Sequence, residues 1–277
     1  MCKIIMHDTA IYDAKKYWEE RLANSPAEIG TGAGHISRYL GPRYNKWIYR
    51  ARVRALQRIT ERFEVKYSSV SILEIGCGTG FWTRYFADRG VTSYVGIDIA
   101  KICVELLSIK YPQYSLIQID ASLKEEYFEK QCNVFDLVVA FDVLYHITAD
   151  SGFDTALTNA CYAVKPNGLL LVTDLYNELY NNFHVKHRPL SAYDKILKRE
   201  GLIIESVLPV FFLLNRAVGY PTGNVLAKLI TYIVLPLYYR GILTPILYWL
   251  DGYLVGVIGN NRQDSTSKML VARRIYA

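Results

Sequence analysis

The sequence has few of the features that mark secreted, metal-binding or membrane-spanning proteins. Its five cysteines are scattered. None forms a C-x-x-C pair or lies at a cysteine–histidine ligand spacing, so neither a disulfide framework nor a zinc site is expected. The longest uncharged apolar runs hold about ten residues, whereas a membrane-spanning helix needs roughly 20. No transmembrane span is therefore predicted.

The charge is modest as well. A net charge of +6 over 277 residues permits an anionic substrate or a membrane surface but does not require nucleic acid. The N-terminal stretch up to Asp8 contains an acid and no long apolar run. This pattern predicts no secretory signal and a cytoplasmic location. The length fits one α/β domain with additional segments.

From Val70 onward strand and helix patterns alternate, which predicts a parallel sheet with helices on both faces. The predicted strands are 70–75, 93–97, 115–119, 135–140, 168–173, 202–208 and 268–275, and the predicted helices lie near 80–89, 100–110, 122–130, 152–164 and 191–200. Before them, residues 43–66 form a predicted helix with apolar residues at helical spacing and many arginines. We interpret it as a solvated helix beside the sheet, with a basic surface for phosphate or anionic lipid as the alternative.

The most informative stretch joins the first strand to its helix. The apolar strand ends in Gly76, Gly78 and Gly80, which indicates a tight turn with backbone close to a ligand. Their spacing differs from the G-x-G-x-x-G of dinucleotide-binding folds. Glu74 lies inside the apolar strand, where an unpaired carboxylate is costly, so we expect a ligand cation or donor beyond the turn.

The segment from Glu74 to Gly80 resembles motif I (E/D-x-G-x-G-x-G) of the class I S-adenosylmethionine (SAM) dependent methyltransferases, with every position filled. The resemblance implies an α/β fold with a seven-stranded, Rossmann-like doubly wound sheet whose last strand is antiparallel. It also implies SAM as cofactor and S-adenosylhomocysteine as product. We expect a single domain with an N-terminal helical cap (1–67), a SAM-binding core (68–208), an apolar lid (209–262) and a final strand (263–277).

Acidic residues also end the second and third strands, at Asp98 and Asp120. Ligands of open parallel sheets bind beyond the carboxyl ends of the strands. By resemblance Asp98 binds the ribose and Asp120 the adenine amino group, and capping of the following helix is the alternative for each. Tyr17 belongs to a segment that folds over the cofactor in related enzymes, where an aromatic face attracts a sulfonium; core packing is its alternative. The implied cofactor-binding residues are Tyr17, Glu74, Gly76, Cys77, Gly78, Gly80, Phe81, Trp82, Asp98, Ile99, Asp120, Ala121, Phe141, Asp142 and Val143.

The end of the fourth strand resembles that of small-molecule methyltransferases and lacks the N-P-P-Y tetrapeptide of enzymes that methylate nucleic-acid amino groups. His146 is the predicted catalytic residue, as a general base; a structural histidine at a helix start is the alternative. Tyr145, His184, His187 and Arg188 are expected to contact the acceptor. No carboxylate accompanies the two later histidines in the sequence, so no metal is expected.

Residues 209–262 are long and apolar but interrupted by prolines and charges. We expect two or three helices forming a lid that excludes water, with a membrane-surface contact as the alternative. The predicted function is methyl transfer from SAM to a small hydrophobic or aromatic acceptor, such as a natural-product intermediate. The alternatives are an RNA or protein methyltransferase that uses the basic 43–66 helix, and a non-catalytic SAM-binding or membrane-surface module.

Overall fold

The structure is a computed structural model that describes residues 12–23, 42–178, 181–214, 243–258 and 267–275. Its strands are β1 (Ser71–Ile75), β2 (Ser93–Asp98), β3 (Ser115–Gln118), β4 (Phe135–Phe141), β5 (Val164–Asp174), β6 (Asn181–Asn182), β7 (Val185–Lys186), β8 (Leu202–Phe211) and β9 (Ser267–Arg274). Its helices are α1 (Ala14–Ala23), α2 (Pro42–Arg62), α3 (Phe81–Ala87), α4 (Lys101–Lys110), α5 (Glu126–Lys130), α6 (Asp150–Ala163), α7 (Leu190–Arg199) and α8 (Thr244–Ile258), with a 3₁₀ turn at Leu144–His146.

Seven of these strands form one sheet in the order β3-β2-β1-β4-β5-β9-β8. The first five strands pair in parallel, whereas β9 runs antiparallel to both of its neighbours. The predicted fold class, including the antiparallel last strand, is confirmed. The short strands β6 and β7 form a separate hairpin after β5.

Helices cover both faces of the sheet. Successive side chains of a strand point to opposite faces, so neighbouring residues enter different core clusters. Val139 of β4 belongs to the same core cluster as Ile48 of α2 and Phe86 of α3. The preceding residue, Val138, belongs to a second cluster that contains Leu157 of α6. This two-sided burial explains why the central strands are apolar throughout rather than alternating.

The predicted start of the fifth strand is corrected by the structure. The sequence predicts a strand from residue 168, but β5 already begins at Val164. Residues 165–168 form an irregularity within the strand, where Asn167 adopts a φ of 65° and the pairing with β4 shifts. The side chain of Lys165 pairs with Asp136 of β4 at 3.0 Å, which holds this irregular part against the neighbouring strand.

Of the predicted apolar lid, the structure describes the end of β8 and helix α8. Helix α8 packs against α2 and β8. Its buried Asp251 accepts hydrogen bonds from the backbone N–H groups of Phe212, Leu213 and Leu214, at 2.6, 2.7 and 2.9 Å. Residues 215–242 lie outside the described part, so the lid stays a prediction. No helix within the described ranges is long and apolar enough to cross a bilayer.

Candidate functional site

The glycine turn after β1 is built from backbone that only glycine adopts easily. Gly76 has a φ of 78°, and a Cβ atom there would lie 2.3 Å from the Val143 side chain. Gly78 also has a positive φ, 49°, but a Cβ atom on it would meet nothing within 4 Å. Protein atoms therefore leave the space beside Gly78 open, as close approach of a ligand to backbone requires.

The carboxylate of Asp98 ties this turn to the end of β2. The N–H of Gly78 donates to Oδ2 and the N–H of Ala100 donates to Oδ1, both at 2.8 Å. The Asp98 side chain is buried, and the loss of hydration raises its pKa. Each oxygen keeps acceptor capacity for a ligand hydroxyl, so the local cap and the predicted ribose contact are compatible.

Asp120 lies at the adjacent strand end. Its Oδ1 accepts hydrogen bonds from the N–H and the hydroxyl of Ser122, at 2.9 and 2.6 Å. Between the two acids, the carbonyl of Ile99 accepts the side-chain amide of Gln118 at 3.1 Å. Residues predicted around the nucleoside thus meet along one edge of the sheet, with Ala121 largely buried behind Asp120.

The structure explains Glu74 differently from the sequence argument. Its buried carboxyl group is hydrogen-bonded by the hydroxyl of Tyr94 and lies 3.4 Å from that of Thr83. Burial raises its pKa to about 8, so the group is protonated at neutral pH. The ligand cation or donor expected from the sequence is not needed to satisfy this carboxyl, because two protein hydroxyls contact it.

The structure shows an ion pair after β4 that the sequence did not predict. Asp142 has a φ of 60°, and its carboxylate pairs with Arg52 of α2 at 2.7 Å. The Arg52 side chain is buried, yet its Nε and Nη1 have no hydrogen-bond partner. Unpaired buried donors are costly, so this guanidinium fits an anionic group of a ligand.

Aromatic side chains complete the wall beside the turn. The ring of Phe81 lies 4.3 Å from that of Tyr49, and buried Trp82 lies 4.7 Å from Phe141. Cys77 is also buried, and burial raises the pKa of its thiol, so it is not a nucleophile at neutral pH.

Helix α1 lies against the predicted acceptor residues. Trp18 packs edge-on against His146, with ring centroids 4.7 Å apart, and Tyr17 packs on His184 at 5.0 Å. Tyr17 also contacts Phe183, at 5.8 Å. The same helix contacts α4, which follows Asp98. Helix α1 therefore crosses from α4 to the residues predicted to contact the acceptor, and the ring contacts of Tyr17 lie among the latter.

His146 is held by backbone. Its Nδ1 lies 2.9 Å from the carbonyl oxygen of His184, and because a carbonyl only accepts, this nitrogen carries the hydrogen. Burial lowers the pKa of His146 to about 3 and that of His184 to about 4. Both imidazoles are therefore neutral at pH 7, and His146 is a weak base.

His187 has the carboxylate partner that the sequence did not reveal. Its Nδ1 donates to Asp174, the last residue of β5, which also accepts the hydroxyl of Tyr193 at 2.5 Å and the N–H of Leu175 at 2.6 Å. With Nδ1 as the donor, Nε2 carries the lone pair of the neutral imidazole. The ring lies 4.7 Å from Tyr145.

Arg188, by contrast, donates its hydrogen bonds to oxygen atoms of the protein. Its guanidinium binds Asp150 at 3.0 Å and the carbonyl oxygens of Ile147 and Thr148 at 3.0 and 3.2 Å. These bonds join the β6–β7 hairpin to the start of α6. Among the residues that the structure describes, no group of three or more His, Cys, Asp or Glu could hold a metal ion.

The comparison with protein families identifies the chain. The strand order and the turn define a class I methyltransferase fold, and the model of a methyltransferase-domain family matches residues 44–196, more than half of the chain. The chain belongs to this family: it is a SAM-dependent methyltransferase.

Two curated relatives illustrate the similarity. The polyketide synthase component of compactin nonaketide synthase from Penicillium citrinum is 30% identical over 136 residues, 46% of this chain and 4% of that protein. A malonyl-[acyl-carrier protein] O-methyltransferase from Halalkalibacterium halodurans is 26% identical over 191 residues, 66% of this chain and 64% of that protein. The chain thus spans less than two thirds of the length of each of these relatives.

Solved structures share the fold over nearly the whole chain. The [4+2]-cyclase SpnF has a TM-score of 0.56 at 19% identity and covers 96% of this chain and 94% of its own. Magnesium protoporphyrin IX methyltransferase from Synechocystis, solved with bound SAM, has a TM-score of 0.55 at 14% identity, covering 97% and 100%. Because one of the two is a cyclase, similar shape alone does not establish the reaction.

The residues present fit SAM, the cofactor of this family. Its ribose hydroxyls require an acceptor, which the carboxylate of Asp98 offers beside the open space at Gly78. Its methionine carboxylate requires donors, which the unpaired Nε and Nη1 of Arg52 provide. These residues, with Asp120 on the adenine side, are the ones expected to hold it.

The pKa of Glu74 predicts a pH-dependent stability. The folded chain keeps a proton on Glu74 up to about pH 8, whereas the unfolded chain loses it near the ordinary glutamate pKa of 4.5. Because the folded state binds more protons in this window, stability falls as pH rises through it. We expect Glu74→Gln to remove this loss, with a slope difference approaching about 1.4 kcal/mol per pH unit.

Urea unfolding of both proteins between pH 5 and pH 8 measures this difference. Glu126→Gln, which changes an exposed acid paired with Lys130, is the control and should follow the unsubstituted chain. Parallel pH profiles for the Glu74→Gln variant and the unsubstituted chain would show that Glu74 does not titrate as described.

The open space beside Gly78 predicts a selective effect on cofactor binding. Gly90 also has a positive φ and open surroundings but lies in the turn after α3. Alanine at either position costs about 1–2 kcal/mol of backbone strain. Only Gly78→Ala should weaken SAM and S-adenosylhomocysteine binding, by at least about tenfold, measured by calorimetric titration. Equal affinities of the two variants would place the cofactor elsewhere.

Proposed function

We propose that this methyltransferase acts on a small hydrophobic acceptor whose nucleophilic atom carries a proton, and that His187 is the general base that removes it. The observation that carries the proposal is the chain of hydrogen bonds from Tyr193 through Asp174 to His187. It lies at the carboxyl end of β5, next to the end of β4 where Asp142 binds Arg52.

Methyl transfer requires few other catalytic groups from the protein. When bound, SAM supplies an electrophilic methyl group on a sulfonium, and the leaving thioether is neutral, so no general acid is required. Alignment of the acceptor can supply about 7–11 kcal/mol of the barrier reduction. A positioned base adds roughly 10²–10⁴-fold when the nucleophile must lose a proton. His187 supplies this base and Asp174 orients it.

The surroundings of the base support a hydrophobic acceptor. Trp18, Tyr145 and Phe183 lie around the histidines, and His146 is neutral because burial lowers its pKa to about 3. Aromatic walls suit an apolar ligand that is held by shape and by a few polar contacts. Arg21, whose guanidinium lies over the rings of Tyr17 and Trp18, adds a positive charge at their edge.

The names of two relatives favour a natural-product or acyl compound as the acceptor. The names of two curated matches denote a polyketide synthase and an O-methyltransferase acting on malonyl-[acyl-carrier protein]. We therefore place the acceptor among natural-product or acyl intermediates, methylated on an enolic or phenolic oxygen or on an activated carbon. The alternative of RNA or protein as acceptor relied on the basic face of α2. In the structure Arg52 turns inward to Asp142 and Arg54 turns to α8, which reduces that face.

The proposal predicts different roles for the two histidines. His187→Ala should lower kcat by roughly 10²–10⁴-fold without changing SAM affinity, because alignment and cofactor binding persist. His146→Ala should lower it by less than about tenfold, because a group with a pKa near 3 is a poor base. Transfer of labelled methyl groups to phenols, quinols and β-ketoacyl thioesters measures both effects.

The role of Asp174 needs a readout beyond loss of activity. Tyr193→Phe removes one donor from Asp174 and keeps the His187 contact, so it is the matched control for Asp174→Asn. Asp174→Asn should move the pH–rate profile, whereas a purely structural role would lower stability and leave the profile in place. Full turnover in His187→Ala, or methylation of RNA alone by the unsubstituted enzyme, would overturn the proposal.

A further inference from the structure

Helix α8 presents a stripe of large apolar side chains to solvent. The exposed fractions are 56% for Ile246, 72% for Trp249, 48% for Leu250, 69% for Tyr253 and 65% for Val257. Their spacing of three or four residues places them on one face of the helix, here named the apolar stripe. A contiguous exposed apolar face of this kind marks an interaction surface rather than ordinary surface composition.

The opposite face of α8 is firmly anchored. Asp251 accepts three backbone hydrogen bonds from the end of β8, and Val255 is buried. The guanidinium of Arg54 donates to the Tyr248 carbonyl at 3.2 Å and lies over its ring at 4.4 Å. A Cβ atom on Gly252 would lie 2.4 Å from Nη1 of Arg54, so glycine makes room for this contact. The orientation of the apolar stripe is thus fixed by interactions on its far side.

Positive charge lies on α2, the helix that packs against the far side of α8. Arg50, Arg54 and Arg58 follow one another at four-residue spacing along α2 and form a row, here named the arginine row. Arg50 lies over Trp47 at 4.4 Å, and Trp47 packs against Tyr248 of α8 at 5.1 Å. Both Arg50 and Arg58 are exposed.

Negative charge is nearly absent from these two helices. The one acid of α8, Asp251, is buried, and α2 carries a single acid, Glu61, against seven basic residues. An apolar surface beside such a basic helix is complementary to one partner in particular, the anionic lipid surface.

We propose that the apolar stripe and the arginine row together form a membrane-binding surface for anionic lipid. Tryptophan and tyrosine favour the interface between headgroups and acyl chains, because they combine an apolar ring with a polar group. The exposed Arg50 and Arg58 of the underlying helix add attraction to anionic headgroups, which acts over about a Debye length.

This surface is separate from the acceptor side. Arg52 and Arg54 are two positions apart on α2 and therefore point to nearly opposite sides of the helix. Arg52 meets Asp142, whereas Arg54 meets α8. Lipid contact through α8 thus leaves Asp142 and His187 uncovered.

The test is co-sedimentation of the full chain with vesicles of phosphatidylcholine alone or with about 30% phosphatidylserine. The double variant Trp249→Ser, Tyr253→Ser should bind the anionic vesicles at least about tenfold more weakly, because two aromatic rings no longer enter the lipid. The matched control is Leu106→Ser, Ile109→Ser, which removes two exposed apolar residues from α4 and should bind unchanged.

A second pair of variants tests the charge. Arg50→Glu, Arg58→Glu should abolish the preference for phosphatidylserine, whereas Lys130→Glu, Lys198→Glu makes the same change in net charge elsewhere and should keep it. Cofactor titration shows that each variant is folded. The proposal is overturned if the unsubstituted chain stays in the supernatant with both vesicle types, or if the stripe variant binds as well as its control. A dimer in gel filtration that becomes a monomer only in the stripe variant would assign α8 to pairing between copies instead.

Discussion

The carboxylate of Asp98 holds the cofactor edge of this enzyme together. It accepts the N–H of Gly78 from the turn after β1 and the N–H of Ala100 from the start of α4. Parallel pairing places the ends of β1 and β2 side by side, so one side chain can fix both. Because the carboxylate is buried, losing either bond would leave a poorly solvated group. The glycine backbone beside it is thereby presented in one conformation.

The two sides of the site differ in how polar groups are satisfied. On the cofactor side Arg52 has buried donors without partners. On the acceptor side Asp174 is fully engaged by His187, Tyr193 and Leu175. The boundary between them is the end of β4, where the N–H of Asp142 donates to the Thr173 hydroxyl of β5 at 2.7 Å. One side thus has donors free for an anion, and the other holds an imidazole in one orientation.

The fold and the glycine turn were predictable because they depend on local patterns. Strand periodicity and turn glycines act over a few residues, so the strands and the strand end at Asp98 followed from the sequence. The partners of Glu74 and His187 could not be predicted in this way. Tyr94 lies 20 residues from Glu74, and Asp174 lies 13 residues from His187, so each pair meets only after folding. Arg52 could not be singled out among seven basic residues of α2, since the difference is which side of the helix packs inward.

The glycine turn after β1 is the predicted binding site of SAM. Calorimetric titration with SAM, S-adenosylhomocysteine and NAD, run at two temperatures, tests it; the second temperature guards against a binding enthalpy near zero. We predict micromolar affinity for SAM and S-adenosylhomocysteine and none for NAD, since the turn is G-x-G-x-G rather than the dinucleotide fingerprint. Binding of NAD, or no heat with SAM at either temperature, would contradict the account.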